Sequence, residues 1–416
     1  MPWKRMGVDE QRMQFVIRAV SGQERLAALC REFGISRPTG YLWRHRYEQA
    51  RSLTSLAERS RRPRRSPRQT AEWKQQRVVA LRQETGWGAK KLRVLLRDEE
   101  GVALPVRTIH RILERRGLLA EEVHGPAPTR FERSAPNQLW QMDSKGKYPL
   151  PGGECHPLSI LDDHSRYAVG LYALSELTSE RAHPCLVRTF QCYGVPEAML
   201  MDRGCLWWSA SNGWALTWLS VRLIEQGIRL VYGRVCHPQT QGKVERFHRT
   251  LGGEMRHRGV PERIEQWQPA LDEFRQSYNE RRPHEALGMQ RPVERYRASP
   301  RPYQERPAEW EYPEGSEVRR LNTQGSLVQG RQRWFVCQAL AGQRVRIERF
   351  DGKLLVSYRH MYIREVDLAN GETRPLVVGR NQDAKIATEW APPVALRAPC
   401  GAHSAPGHTP ETDMQV

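Results

Sequence analysis

The stretch "HPQTQGKVERFHRT", residues 237–250, decides how we interpret the fold of this 416-residue chain. A turn-like run leads into a basic segment in which Val244, Phe247 and Leu251 recur at helical spacing. Glu245 is the single acid among these basic residues. On a helix it lies about 100° from Val244, at the flank of the apolar stripe. The pattern predicts a helix that presents one carboxylate beside its buried face.

Apolar, strand-like runs alternate with longer helical patterns before this segment. Strands are predicted at 138–142, 157–161, 167–174, 198–201 and 228–232, and helices at 179–192, 215–226 and from about 239. Three strands before the first helix, followed by alternation, favour an α/β domain with a mixed sheet and helices on both faces.

Two further acids, Asp143 and Asp202, each end a strand-like run. With Glu245 they would supply the acceptor-only oxygens that hard cations prefer. Two Mg²⁺ (or Mn²⁺) ions at such a site would stabilise the attacking and leaving oxygens of an in-line phosphoryl displacement. Asp162 and Asp163 also end a strand-like run, so spacing alone leaves them as competing candidates.

The charge of the chain is strongly positive, at +19. The first 130 residues alone hold 28 Lys/Arg and 14 Asp/Glu, which favours nucleic acid over a membrane as partner, although codon bias toward Arg explains part of the excess. No signal peptide or membrane span is expected, and the location expected is the cytoplasm. The scattered Cys residues indicate no zinc ribbon, and no phosphate-binding G-x-x-x-x-G-K-[ST] loop is found, so no nucleotide cofactor is expected.

The N-terminal region has the pattern of a helix-turn-helix. Helices are predicted at 9–20, 24–33 and 37–47, with Gly34 in the turn and Ser36 as the cap of the third. The third helix of such a unit enters the major groove. The candidate DNA-reading residues on it are Arg37, Thr39, Tyr41, Arg44 and His45. A plain three-helix packing unit is the alternative.

Further basic residues extend the expected DNA surface. The Arg/Pro-rich stretch 59–69 cannot bury a core and is predicted to be a linker that attracts phosphate. Helical segments at 89–96 and 106–116 resemble a second helix-turn-helix. The candidate contacts are Arg61, Arg62, Arg64, Arg65, Arg107 and His110, and, around Glu245, Gln241, Lys243, Arg246 and Arg249. Arg281 and Arg282, after a predicted helix, suit phosphate contacts or a helix C-terminus.

The C-terminal part changes to short β-rich pieces after Pro313, which predict a small β-barrel. We therefore predict a multidomain chain. Its parts are a helix-turn-helix domain (1–58), a linker (59–70), a second helix-turn-helix (71–120), a catalytic core (135–297), a small β-rich domain (313–375) and a disordered tail (391–416).

Five motifs of the chain resemble the transposases of bacterial insertion sequences, whose catalytic core is similar to retroviral integrase. They are "WQMDSKG" (140–146), "LDDHSRY" (161–167), "MDRG" (201–204), "HPQTQGKVERFHRTL" (237–251) and "YNERRPHEALG" (278–288). The resemblance implies a ribonuclease-H-like fold with an Asp-Asp-Glu triad at Asp143, Asp202 and Glu245. It also implies binding of double-stranded terminal repeats, cleavage at the element end, joining of the 3′-hydroxyl to target DNA, and a homo-oligomeric synaptic complex. The location that it implies is the bacterial cytoplasm, at the nucleoid.

Arg203 stands where the family usually has Asn. Its guanidinium would either pair with Asp202 and weaken metal binding or clamp a phosphate. The first outcome would leave an impaired copy that acts only as a sequence-specific DNA-binding protein. An RNA-directed nuclease of similar fold is a third interpretation, but it would not need two helix-turn-helix units.

Overall fold

The computed structural model describes residues 7–58, 69–119, 132–202, 204, 206–209, 215–232 and 242–376. Most of the predicted linker, the predicted tail, Arg203 and Gln241 lie outside these residues, as do Arg61, Arg62, Arg64 and Arg65. The chain divides into two compact units, Met1–Ala71 and Glu72–Val416, which are described separately.

The first unit is a three-helix domain, as predicted. Its helices are α1 (Val8–Ser21), α2 (Leu26–Glu32) and α3 (Arg37–Ala50), followed by a 3₁₀ turn at Leu53–Leu56. Phe15, Leu29 and Cys30 are buried between them. Ser36 caps α3, since its Oγ accepts a hydrogen bond from the backbone N–H of Thr39. The cap and the core together hold α3 at the surface, with its outer face exposed.

The second unit begins with three more helices, in agreement with the predicted second helix-turn-helix pattern. They are α4 (Glu72–Thr85), α5 (Ala89–Glu100) and α6 (Val106–Arg115). Leu81, Trp87, Leu92 and Ile109 belong to one buried cluster that joins them. We call residues 72–119 the second helical domain.

A mixed sheet forms the centre of this unit. Its strands and neighbouring short strands are β1 (Trp140–Ser144), β2 (Tyr148–Leu150), β3 (Gly153–Asp162), β4 (Ala168–Leu174), β5 (Ala198–Met201), β6 (Trp208–Ser209), β7 (Ala215–Leu216) and β8 (Arg229–Tyr232). β3 pairs antiparallel with β1, β2 and β4. β5 pairs parallel with β1 and with β8, while β6 and β7 form a separate pair. The predicted mixed sheet is confirmed.

Helices cover both faces of the sheet, and we call the sheet and these helices the central domain. They are α7 (Ser179–Tyr193), α8 (Trp218–Glu225), α9 (Gly242–Arg258), α10 (Ile264–Gln276) and the short α11 (Pro292–Arg295), with a π-helical turn at Ser277–Arg281 and a 3₁₀ turn at Glu285–Leu287. α9 and α10 bury Phe247, Trp267 and Phe274 against one face, and α7 and α8 bury Phe190 and Ile224 against the other. No helix that the structure describes is both long and apolar enough to cross a membrane.

The predicted C-terminal β-barrel is wrong. The strands are β9 (Glu317–Arg320), β10 (Ser326–Gln329), β11 (Gln332–Phe335), β12 (Arg344–Phe350), β13 (Lys353–Tyr358), β14 (Met361–Asp367) and β15 (Thr373–Pro375), with a 3₁₀ turn at Gln338–Leu340. They form an open sheet in the order β15-β14-β13-β12-β9, beside a β10-β11 hairpin. Val345 and Val356 share a buried cluster with Leu219 and Leu230 of the central domain. The sheet therefore covers a neighbouring surface instead of closing on itself.

Gly40 leaves no room for a larger residue inside the first unit. A Cβ atom there would lie 2.5 Å from Cys30 Sγ and 2.9 Å from the ring of Phe15. We expect Gly40→Ala to lower the free energy of unfolding, because overpacking costs about 1–3 kcal/mol whereas Ala favours a helix over Gly by only about 1 kcal/mol. Urea denaturation followed by circular dichroism measures the change.

Gly253 of α9 is the matched control, since nothing lies within 4 Å of a Cβ built there. Gly253→Ala is expected to leave the second unit unchanged or slightly more stable. A Gly40→Ala protein as stable as the wild type would contradict the tight contact at Gly40.

Candidate active site

Two strand-end aspartates meet at one edge of the central sheet. Asp143 is the fourth residue of β1, and Asp202 directly follows β5. The two strands are parallel and in register, with Gln141 opposite Leu200. Carboxyl ends of parallel neighbours lie at the same edge, so the two acids are brought side by side.

Glu245 reaches the same edge from α9. Val244, Phe247 and Leu251 are buried, as the helical spacing predicts, while Glu245 in the first turn is exposed. An open cleft of about 420 Å³ lies beneath this turn. Its lining residues are Asp143, Ser144, Lys145, Gly146, Glu245, His248 and Arg249. Asp202 lies outside that lining, and its link to Asp143 is electrostatic.

The three carboxylates interact strongly enough to shift a titration. Burial raises the pKa of Asp143 to about 7, and the negative charges of Asp202 and Glu245 contribute to the rise. The backbone N–H of Ser144, which donates to Asp143 Oδ1 at 2.9 Å, acts in the opposite direction. Ionised Asp143 is therefore disfavoured until a positive charge arrives.

This electrostatic arrangement suits a cation, and the acceptor-only oxygens suit Mg²⁺ in particular. Among the described side chains, no group of three or more His, Cys, Asp or Glu residues is placed closely enough to hold a metal ion. The carboxylates thus fit a divalent cation in chemistry and charge, and would have to approach one another to coordinate it together.

Asp162 and Asp163, the competing candidates, are fully buried and engaged within the protein. Asp162 accepts hydrogen bonds from the backbone N–H groups of Asn137 and Ser165 and from Ser165 Oγ. Asp163 accepts from the backbone N–H of Arg133 and from Gln141 Nε2. Their oxygens stabilise the end of β3 and do not face the cleft.

The first turn of α9 is attached to the sheet through Asp163. Lys243 Nζ lies 2.5 Å from Asp163 Oδ1. Gln141 completes the network, because its Oε1 accepts from the N–H of Val244 at 3.4 Å. A cation in the first turn opposes the helix dipole, so the pairing with Asp163 compensates for an otherwise unfavourable position. Glu245 follows directly after this attachment.

A second polar attachment lies one turn further along α9. His248 Nε2 is 3.0 Å from Ser159 Oγ on β3, and its Nδ1 is 3.7 Å from Asp143 Oδ2. Burial, followed by the charge of Lys145, lowers the pKa of His248 to about 4. The ring is therefore neutral near pH 7. Glu245 lies between two buried polar contacts that fix its backbone.

The candidate DNA-binding residues lie in varied surroundings. Arg37, Tyr41 and His45 on α3, Arg107 and His110 on α6, and Arg246 and Arg249 on α9 are exposed. Thr39 Oγ1 contacts Ser36 Oγ, and Arg44 pairs with Glu48. Lys243 is only 16% exposed and pairs with Asp163. Their roles in DNA binding stay predictions.

Sequence reasoning missed Lys145, Gln141 and Ser159, which line or support the cleft. Lys145 follows Asp143 by two residues, and this adjacency was the available signal. The burial of His248 also had a signal in the sequence, because its position four residues after Val244 places it on the buried stripe. Gln141 and Ser159 carried no sequence signal, because only strand pairing brings them to α9.

Comparisons with known families agree with this architecture. Residues 133–238 and 226–292 each match a family model described as an integrase core domain. Residues 11–64 match a helix-turn-helix domain, and residues 39–113 match a homeodomain-like domain.

Individual relatives are distant. The chain is 26% identical over 235 residues to an insertion element IS407 uncharacterized 31.7 kDa protein of Burkholderia multivorans, which covers 52% of this chain and 78% of that protein. It is similar to a chain of the simian T-cell lymphotropic virus intasome in complex with PP2A regulatory subunit B56 gamma (14% identity, TM-score 0.37, 73% of this chain and 100% of that chain). It is also similar to the HTLV-2 integrase catalytic core domain in complex with magnesium (16% identity, TM-score 0.27, 35% and 89%).

The family matches cover both the helical N-terminal region and the domain that carries the three acids. The chain is therefore similar to integrase core domains and helix-turn-helix domains in these regions, and it resembles the transposases of bacterial insertion sequences.

Proposed function

We propose that the chain is a metal-dependent DNA transposase that binds the terminal repeats of a mobile element, cleaves at the element end and joins the new 3′-hydroxyl to target DNA. The observation that carries the proposal is the electrostatic coupling of Asp143 to Asp202 and Glu245 at one sheet edge. Asp143 and Glu245 line an open cleft, and Asp202 interacts electrostatically with Asp143. With the exposed Arg246 and Arg249 of α9, these acids suit a phosphodiester and its counter-cation.

The chemistry consists of two displacements at phosphorus. In cleavage, the oxygen of water bonds to phosphorus and the bond from phosphorus to the 3′-oxygen breaks. That oxygen keeps the electron pair and takes up a proton, which leaves a 3′-hydroxyl and a 5′-phosphate. In joining, the 3′-hydroxyl loses its proton and its oxygen bonds to a target phosphorus. The bond from that phosphorus to the target 3′-oxygen breaks, and the displaced oxygen keeps the electron pair and takes up a proton. Neither step needs a nucleotide cofactor.

In this proposal Asp143, Asp202 and Glu245 are the catalytic residues and would hold Mg²⁺ or Mn²⁺, two ions per site. When bound, the cations supply positive charge for the attacking and leaving oxygens. Lys145 and Arg249 lie at the cleft and would attract the phosphate. Neutral His248 holds α9 on the sheet and leaves the positive charge to these residues.

The proposed partner is double-stranded DNA, bound by the exposed basic faces of α3 and α6. Joining two element ends in concert needs two active sites, so we propose that the chain works as a homo-oligomer. The related HTLV-2 integrase core was described in dimeric and trimeric forms.

A second candidate is a catalytically impaired copy that only binds the terminal repeats. Arg203, adjacent to Asp202, is the sequence feature that favours it. The two candidates differ in DNA cleavage and agree in DNA binding, so a cleavage assay separates them.

Glu245→Gln removes one of the three acids with little change in size. We expect metal-dependent cleavage of DNA that carries the element ends to fall by more than about 100-fold, since loss of a ligand should exceed the 10–100-fold effect of a supporting residue. Denaturing gels with end-labelled DNA in Mg²⁺ measure the new 3′-end.

Glu262→Gln is the matched control, because Glu262 is exposed on the same domain before α10. Binding by the wild-type protein without cleavage, in both Mg²⁺ and Mn²⁺, would reject the transposase proposal in favour of the binding-only copy. Arg203→Asn is then the variant to examine.

The pKa of Asp143 also predicts how stability depends on pH. An ordinary Asp has a pKa of about 3.9, so raising it to about 7 in the folded protein means that the folded state binds the proton more tightly. The resulting stabilisation is complete below about pH 4 and is lost as pH rises to about 7. In metal-free buffer, Asp143→Asn should therefore gain more stability over the wild type at pH 8 than at pH 5.

Urea denaturation in EDTA at both pH values measures this difference, with exposed Asp272→Asn as control. Added Mg²⁺ should raise the Tm of the wild type and leave that of Asp143→Asn unchanged, which tests metal binding without an activity assay. Equal gains at pH 5 and pH 8 would show that the pKa of Asp143 is not raised in the folded protein.

The pairing of Lys243 with Asp163 favours a positioning role over a contact with DNA. Asp163→Asn/Lys243→Met removes both charges and so leaves no unpaired charge in the interior. If Lys243 positions Glu245, the double variant should cleave at least about 10-fold more slowly, with the same DNA affinity and the same salt dependence of binding.

Loss of a phosphate contact would give the opposite result, in which affinity falls and the salt slope decreases by about 1. Arg249→Gln, which changes an exposed cleft residue, serves as the reference for that behaviour. A double variant with normal cleavage and normal DNA affinity would mean that the pair has neither role.

A further inference from the structure

The second helical domain contacts the central domain through a surface of complementary charge. Arg281, in the π-helical turn after α10, is at its centre. Its Nε donates to Glu99 Oε1 at 2.9 Å, and its Nη2 donates to Glu99 Oε2 at 3.0 Å. Its Nη1 donates to Glu84. Each guanidinium nitrogen therefore faces an acid of the second helical domain, in the forked geometry that Arg makes with carboxylates.

Two further ion pairs flank this contact. Arg291 Nη2 lies 3.1 Å from Asp98 Oδ2, and Lys90 Nζ lies 3.2 Å from Glu285 Oε2. We call these pairs, together with Arg281, Glu84 and Glu99, the Arg281 interface. The "YNERRPHEALG" segment thus supplies Arg281 and Glu285 to contacts within the protein.

Contacts of other kinds lie beside the ion pairs. His257 Nε2, near the end of α9, is 2.7 Å from the carbonyl oxygen of Gln83. The guanidinium of Arg282 lies 5.2 Å from the ring centroid of Trp87. Trp87 belongs to the core of the second helical domain, so this contact connects its core to the residue next to Arg281. The attachment therefore involves α9, which carries Glu245.

The acidic and basic residues of the second helical domain lie on different surfaces, which supports a separate role for the surface that contacts the central domain. Its acids Glu84, Asp98 and Glu99 contact the central domain, whereas Arg107 and His110 on α6 are exposed. The acidic side is used within the protein and the exposed side on α6 is basic. Such a domain would bind DNA while it stays attached to the domain that carries the acids.

We propose that the Arg281 interface fixes the second helical domain at a set distance from Glu245, so that DNA is cut at a set number of base pairs from the sequence this domain binds. The proposal rests on the proposed transposase function. In this proposal Arg281 is a specificity-determining residue: it determines where the DNA is cut and does not touch the reacting atoms. Its three contacts with two acids are what make the distance fixed.

A charge swap tests the proposal. Arg281→Glu places an acid opposite Glu99 and Glu84, and Glu99→Arg in the same chain restores an opposite-charge pair. We expect Arg281→Glu to spread the cut over several base pairs at unchanged affinity for the DNA, and the double variant to return most cuts to the wild-type position. Sequencing gels of end-labelled terminal DNA give the position. Arg263→Glu, an exposed residue at the start of α10, controls for the change in net charge.

The distance itself is measured without catalysis. Spin labels on non-natural amino acids at exposed Arg115 and Glu265 should give a narrow distance distribution in the wild type, a broad one in Arg281→Glu and a narrow one in the swapped protein. If Arg281→Glu cuts at the wild-type position, or its distance distribution stays narrow, the proposal is overturned.

If the wild type binds DNA and does not cut it, the proposed transposase function fails. The distances between the labels still decide whether the interface fixes the second helical domain. Arg281→Gln replaces Arg281→Glu should the latter not fold.

Discussion

Repulsion between carboxylates at one sheet edge is the constraint that the rest of the central domain has to overcome. Parallel pairing of β1 with β5 brings Asp143 and Asp202 together. Burial raises the pKa of Asp143, and the negative charge of Asp202 raises it further. This arrangement costs free energy in the folded chain, so it persists only on a rigid support. The buried faces of α7 and α10, packed on opposite sides of the sheet, provide that support.

The placement of Glu245 depends on two polar contacts that are themselves buried. Lys243 meets Asp163, and His248 meets Ser159, one on each side of Glu245 along α9. Apolar packing alone leaves a helix able to slide or rotate at small cost, whereas a buried charged pair loses several kcal/mol when it separates. Asp163, which follows β3, therefore holds α9 beside the cleft, although Asp163 does not itself face the cleft.

The positive charge of the chain is not all available to DNA. Arg301 donates to the carbonyl oxygens of Pro196 and Gly227 and so attaches the chain that follows α11 to the central sheet. Arg281 is likewise engaged with Glu84 and Glu99. A count of Arg in the sequence correctly favours a polyanionic partner, but it cannot separate such internal arginines from exposed ones such as Arg37.

Local patterns in the sequence were sufficient to predict the helices and strands. Contacts between residues distant in the sequence could not be predicted from such patterns. The helical spacing predicted α1 and α3 to within a few residues. The strand-like runs placed the end of β5 correctly and the end of β1 two residues too early, which was close enough to predict that Asp143 and Asp202 meet. Their catalytic role remains a proposal. The Lys243–Asp163 pair joins residues 80 positions apart, and no local pattern indicates which distant acid a lysine will meet.

The open C-terminal sheet is a second example of a feature that local sequence patterns could not predict. The Asp351-Gly352 pair favours the tight turn that joins β12 and β13. Closure of a barrel requires the first and last strands to pair, which depends on tilt and register across all strands. Here the turn after β13 meets β8, where His360 Nε2 lies 3.2 Å from the carbonyl oxygen of Ile228 and Met361 Sδ accepts from the N–H of Leu230. β8 is the edge strand of the central sheet, and an uncovered edge invites pairing with other chains. The C-terminal sheet stays open because its apolar face and this turn are used to cover the domain that carries the acids.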